Sequence, residues 1–253
     1  MNSLFVAWRP PTHDKTGWRP VGRLEHDGDL YRFWYTRGAR KPGFCPFTQM
    51  ESLDQVYESR ELFPLFANRL LSKSRPEYEA YLRWSGLDID HPPDPIMVLG
   101  VTEGIRQTDA VEVFPCPVPD AQGCYFNKFF LHGTGWLPKE TVGRMAKLKE
   151  DERLKLMLDL QNEYDRQAVA VRTETERMLI GYVPRYLAHD VWQLVRECEM
   201  DFIELRVARV NRDAPLQNRV LCLMRACWPE GFQPCHGDDF LPIPAGVPVG
   251  CSR

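Results

Sequence analysis

The chain has 253 residues, 43% of them hydrophobic and 26% charged, with a formal net charge of −3. This length suffices for one large domain or two ordinary ones, each with its own core, and two are expected. The charge balance excludes a wide, sequence-blind basic surface, so any nucleic-acid contact is expected to be local. No apolar run is long enough to span a bilayer, and the N-terminus MNSLFVAWRPPTHDK lacks the basic and apolar regions of a secretory signal. A soluble, cytoplasmic protein without membrane contact is expected.

Residues 4–36 read as a small antiparallel sheet, with LFVAW first and then two strand-like runs joined at the turn signal Asp27-Gly28. The segment ELFPLFANRLLSK has a helical pattern. The following SRPEYEAYLRWSGLD spaces Ser74 and Glu77 as a capping box, with Pro76 in the first turn and Gly86 at the far end, predicting a second helix. After the breaker HPPDP, the run IMVLGVTEGIRQTDAVEVFP reads as short strands. PCPVPDAQGC is rich in Pro and turn residues, which places a linker at 116–123 between a first domain at 1–115 and a second at 124–229.

The second domain opens with the strand CYFNKFFLHG, and Val142, Met145 and Leu148 then mark a short amphipathic helix. LKLMLDL sets Leu154, Leu156, Leu158 and Leu160 on one strand face. AVAV and MLIGYVP form a hairpin, and a helix from Tyr186 to Glu197 buries Leu187, Val191 and Leu194. In DFIELRVARV the apolar alternation slips between 207 and 208, the mark of a bulge, and VLCLMRACW closes the set. Six strands and two short helices predict a small closed or partly closed β-barrel, giving an α+β chain overall. Residues 230–253, rich in Pro and Gly, are expected to be an irregular tail.

The eight cysteines form no CxxC pair, so no convergent thiolate set for zinc is read. CLMRACWPEGFQPCH comes nearest, yet Cys222 falls inside an alternating strand pattern. Reduced thiols, no metal and no cofactor are expected. No nucleophile elbow, HExxH, Walker motif or paired acidic motif frames His132, Asp165 or the serines, so no enzyme is predicted.

Between two strands lies Asn162-Glu163-Tyr164-Asp165. Asn and Asp are ordinary turn formers, whereas Tyr164 is not explained by a turn. With the Ala168–Val171 strand and Ile180-Gly181-Tyr182-Val183-Pro184-Arg185 behind it, this motif resembles that of HIRAN domains, and the resemblance runs from Phe129 to about Trp228. It implies a compact barrel related to OB-like folds. It also implies a pocket for the free 3′ end of single-stranded DNA, with the Asp of the Asn-x-Tyr-Asp turn receiving the terminal hydroxyl and the adjacent aromatic stacking on a base. Candidate nucleic-acid-binding residues are then Asn162, Tyr164, Asp165, Trp136, Tyr182, Arg185, Arg206 and Arg209, with Arg212 nearby. The chain departs from the family at Gly133-Thr134-Gly135-Trp136, which keeps an aromatic but lacks the family's Arg, and at Tyr182, where some relatives have His.

The first half looks like the small N-terminal subdomain of HipA-type toxin kinases, without the kinase core. That resemblance implies a protein partner bound through Phe63, Phe66, Arg69 and Leu70. Two functions follow: a nucleic-acid-binding accessory protein of DNA repair or defence, or an antitoxin-like interaction factor whose barrel is structural.

Overall fold

The computed structural model describes residues 3–10, 18–91, 93–106, 109–247 and 249. Its residues group into two units, one of Met1–Leu82, Leu87–Cys116 and Gln233–Arg253, the other of Arg83–Gly86 and Pro117–Phe232.

The first unit is built on a five-stranded antiparallel sheet in the order β4-β3-β2-β1-β5, with β1 Ser3–Trp8, β2 Arg19–His26, β3 Tyr31–Tyr35, β4 Val56–Ser59 and β5 Val111–Pro115. Asp27 closes the β2–β3 turn, its Oδ1 accepting from the amides of Asp29 and Leu30. Leu4, Val6, Leu24, Phe33 and Tyr35 bury one sheet face against Phe66, Ile96 and Leu99. β4, an edge strand, was not evident in the sequence.

Three short helices accompany this sheet. Of the predicted helix over residues 61–73, only α1, Pro64–Ala67, forms. Two turns then carry the chain through Arg69 and Leu70 while the Arg69 side chain swings inward. α2, Tyr78–Trp84, starts later than the capping box implies, because Ser74 pairs with Ser72 instead. It stops where expected: Gly86 has φ +67°, and the Leu87 amide donates to the Leu82 carbonyl. α3, Pro95–Thr102, replaces the strand expected at IMVLG. Asp94 caps it through the Ile96 amide at 2.7 Å, and Pro95 sits at its first position.

The partner surface expected on the first unit is not a surface throughout. Phe66 is completely buried, and Arg69 is buried with its guanidinium donating to the carbonyls of Gly104 (2.9 Å) and Val111 (3.0 Å) and to Asp109 Oδ2 (2.7 Å). Phe63 and Leu70 are half-buried on the same core. The C-terminal segment is also more ordered than its composition suggests. The amide of Arg37 donates to the Leu241 carbonyl (2.8 Å), that of Ile243 to the Tyr35 carbonyl (3.0 Å), and Phe240 meets Phe5 edge-on at 5.0 Å.

The second unit is a six-stranded antiparallel sheet in the order β6-β11-β10-β7-β8-β9, where β6 is Tyr125–Phe130, β7 Arg153–Leu158, β8 Val169–Thr173, β9 Leu179–Tyr182, β10 Glu204–Val210 and β11 Val220–Ala226. The sheet curls until its edges meet. His132, just past β6, pairs with Tyr182 of β9 through both backbone bonds at 2.9 Å, the partial closure expected of a small barrel. The register shift in β10 falls between Val207 and Arg209, where the apolar alternation slips. α4, Lys139–Met145, and α5, Arg185–Glu197, are the two helices; α5 buries Tyr186, Leu187, Val191 and Leu194.

Two expectations are corrected. Leu160 lies beyond β7 and is 71% exposed, so it does not extend the Leu154 face. Cys198 at the end of α5 and Cys227 just after β11 form a disulfide with Cα atoms 6.0 Å apart, because the two segment ends converge within bridging distance. Cys45, Cys124, Cys222 and Cys235 are free thiols, and Cys251 lies outside the described residues. Among the described residues no helix is long and apolar enough to cross a membrane.

Candidate nucleic-acid interface

The turn between β7 and β8 is a set of side-chain-to-backbone bonds. Asn162 Oδ1 accepts from the amides of Tyr164 and Asp165, both at 3.0 Å, while its Nδ2 donates to Asp159 Oδ2 at 3.0 Å. Asp165 repeats the device one step on, Oδ1 accepting from the Gln167 amide at 2.9 Å. Asn162 and Asp165 are therefore turn formers in the ordinary sense. The side chain of Tyr164 takes part in none of these bonds and stands 68% exposed.

What surrounds this turn gives it chemistry. The second oxygen of Asp165 lies 3.5 Å from Nε of Arg185, the first residue of α5. Tyr182 at the end of β9 donates its hydroxyl to Asp159 Oδ2 at 3.1 Å, so Asp159 joins the turn to the barrel edge. Burial, reinforced by that carboxylate, raises the Tyr182 pKa above its ordinary value. The side-chain amide of Gln167 lies 2.9 Å from His189 Nδ1, one turn along α5 from Arg185.

Gly133 leads into the 3-10 turn Thr134–Trp136 with φ +68°, and a Cβ there would stand 2.9 Å from the Tyr182 ring. Glycine is required for both reasons. Gly181 works similarly from β9: its φ is +155°, and a Cβ would meet Leu131 at 3.0 Å. These two close approaches hold the barrel edges together and carry Trp136 out beside β9, where it is 94% exposed.

The structure thus gathers Asn162, Tyr164, Asp165, Tyr182 and Arg185 around one turn, with Trp136 on the adjoining edge. Arg206 and Arg209 are elsewhere. They lie on β10, separated from β8 by β7; Arg206 bonds Glu204 and the Asp151 carbonyl, Arg209 the Arg83 carbonyl, and Arg212 the Ala146 carbonyl. Asp159, Gln167 and His189 join the site without having been singled out. Asp159 carried a legible signal, an acidic residue three before Asn162 at the end of an apolar strand.

An acceptor carboxylate, a guanidinium and two exposed aromatic faces are groups that recognise a sugar hydroxyl, a phosphate and unpaired bases, respectively. Among the described residues no group of His, Cys, Asp and Glu is disposed to hold a metal ion.

Residues 126–224 match the family model of the HIRAN domain. Similar solved structures include the HIRAN domain of human HLTF, at 15% identity with a TM-score of 0.31, covering 42% of this chain and 79% of that one. A protein from Lactobacillus plantarum is similar at 18% identity and the same TM-score, covering 41% of this chain and 97% of its own. No curated protein matches the chain. None of these findings supports the HipA-type resemblance of the first unit.

Proposed function

We propose that this chain, which carries a HIRAN domain at residues 126–224, is a non-catalytic, intracellular nucleic-acid-binding accessory protein whose site at the β7–β8 turn holds the free 3′ end of a single strand. The HIRAN match implies nucleic-acid binding, and the end preference rests on the turn. The observation that carries it is the posture of Asp165. One of its oxygens is fixed by the Gln167 amide and the other faces Arg185, beside the exposed ring of Tyr164.

A carboxylate held this way accepts a bond from a terminal hydroxyl and repels a terminal phosphate. Arg185 supplies the counter-charge for the last internal phosphate, and Tyr164 and Trp136 offer faces to bases. The alternative of a protein-interaction factor loses support from the burial of Phe66 and Arg69.

Fluorescence anisotropy with short strands ending in a 3′-hydroxyl or a 3′-phosphate tests this reading. Asp165→Asn keeps an oxygen for the Gln167 amide, so the turn survives. It should still bind the hydroxyl strand on the order of tenfold more weakly, since a bond to a charged acceptor contributes roughly 1.5–3 kcal/mol. Binding of the phosphate strand should stay level or improve. Tyr164→Ala should weaken both strands alike, because stacking is indifferent to the end group. Parental selectivity in Asp165→Asn would leave the residue as a turn former only.

A further inference from the structure

The alternation that fills the barrel also dictates what lies outside it. Leu154, Leu205, Cys222, Met224, Phe129, Val171 and Thr173 are buried, so the residues between them point outward from β6, β11, β10, β7 and β8. Those outward positions include Lys128, Arg153, Lys155, Arg172, Arg206 and Arg225.

The register draws them together. Arg206 stands opposite both Arg153 and Leu223, Leu223 opposite Lys128, Lys155 opposite Arg172, and Arg225 opposite Glu204 and Phe126. Neighbouring strands are roughly 5 Å apart, so these cations form a contiguous band across the sheet. Carboxylates interrupt it at Glu204, bonded to Arg206 and 3.7 Å from Arg153, at Glu174, 3.2 Å from Lys155, and at Asp120, 3.2 Å from Arg225, leaving Lys128 and Arg172 outside these ion pairs. On a chain of net charge −3 this is a local excess of positive charge.

A second feature adjoins the band. A recess of about 370 Å³ opens among Arg153, Lys155, Arg225, Asp201, Glu204 and Phe202, three cations against two carboxylates. Phe202 is exposed at its rim and Phe126 on the sheet itself. Cations that track a backbone, interleaved with aromatic faces open to the solvent, suit a strand whose bases are unpaired; a duplex hides its base faces.

We infer that the outer face of β6, β11, β10 and β7 is a second binding surface, one that takes the phosphate backbone of single-stranded nucleic acid internally, with a base seated against Phe202 or Phe126. This surface is separate from the end-reading turn and does not depend on it. It also assigns a role to Arg206, which the turn does not use.

Covalently closed circular single-stranded DNA has no end and so reads this face alone. The full chain should bind the circle with a strong salt dependence. The triple variant Lys128→Gln, Arg153→Gln and Lys155→Gln changes only exposed side chains and sets no like charges against Glu204 and Glu174, so it should melt within about 2 °C of the parent. It should lose more than tenfold in affinity for the circle, with the slope of log affinity against log salt falling by about 2, since each lost phosphate contact removes roughly 0.7 on a single strand. Asp165→Asn should bind the circle as the parent does. Failure of the circle to bind, an unchanged slope in the triple variant, or equal competition by double-stranded circles would overturn the inference while leaving the end-reading turn standing. Circle binding without any preference for a 3′-hydroxyl on linear strands would support this face and refute the end reading.

Discussion

Replacing Gly133 by alanine tests whether the barrel closure and the candidate site are one mechanical unit. At φ +68° an L-residue costs roughly 1–2 kcal/mol relative to glycine. The new Cβ would stand 2.9 Å from Tyr182 Cδ2, so the ring must shift by a few tenths of an ångström. The backbone of Tyr182 is pinned by two bonds to His132 and its hydroxyl by Asp159, which leaves little freedom to give way. The total should be about 2 kcal/mol, lowering the melting temperature of the HIRAN unit by about 8 °C. The displaced hydroxyl should also loosen Asp159 and, through it, Asn162, reducing affinity for a 3′-hydroxyl strand. Gly135→Ala is the matched control: it lies two residues away, has no positive φ, and its Cβ would meet nothing within 4 Å. That variant should melt at or slightly above the parent. Differential scanning fluorimetry on the pair decides the matter, and equal melting temperatures would refute the argument from close approach.

Arg69→Met removes the donor from the Gly104 and Val111 carbonyls inside the first unit and should destabilise it by about 3–5 kcal/mol, seen as a fall in melting temperature of roughly 10 °C or more; a change within about 2 °C would restore Arg69 as a surface residue. The Arg144 guanidinium forks onto Glu176, at 2.9 and 3.1 Å, and holds that carboxyl well below its ordinary value, at about 2. Because the folded value is depressed, this pairing stabilises above about pH 4.5 and is lost as pH falls toward about 2. Glu176→Gln should therefore flatten the melting-temperature profile in that window and run parallel to the parent above it, where the carboxyl is ionised both folded and unfolded; a parental profile throughout would refute the pairing.

Much of the second unit was legible because strand period, bulge and helix face are local signals. The slip at 207–208 and the Leu187, Val191 and Leu194 stripe each depend on only a few neighbouring residues. α3 was misread for the opposite reason. Its residues are apolar all round, so no helical period shows, and only the Asp94-Pro95 cap marks its start. Within the candidate site, Asn162 and Asp165 were readable as turn formers, and the HIRAN resemblance lent Tyr164 and Arg185 a role. The placement of Arg206 was not readable, because an arginine's distance from the turn depends on strand order, which is a property of the whole sheet. The C-terminal segment failed similarly: its bonds to Tyr35 and Arg37 span some 200 positions, and composition carries no trace of them.

The anchoring of residues 240–243 on β1 and the end of β3 bears on how the chain is made. A ribosome delivers β1 to β5 early, but the strap that covers Phe5 and joins Tyr35 follows only after the whole HIRAN unit has been synthesised. At roughly 5–20 residues per second, that interval is on the order of ten seconds. During it the first sheet waits with one flank bare, and the barrel receives its last strand, β11, shortly before the strap is made. The inner unit is thus positioned to mature before the outer one. Cys116 Sγ, 3.7 Å from the Pro234 carbonyl, marks the place where the two ends of the excursion are brought back together.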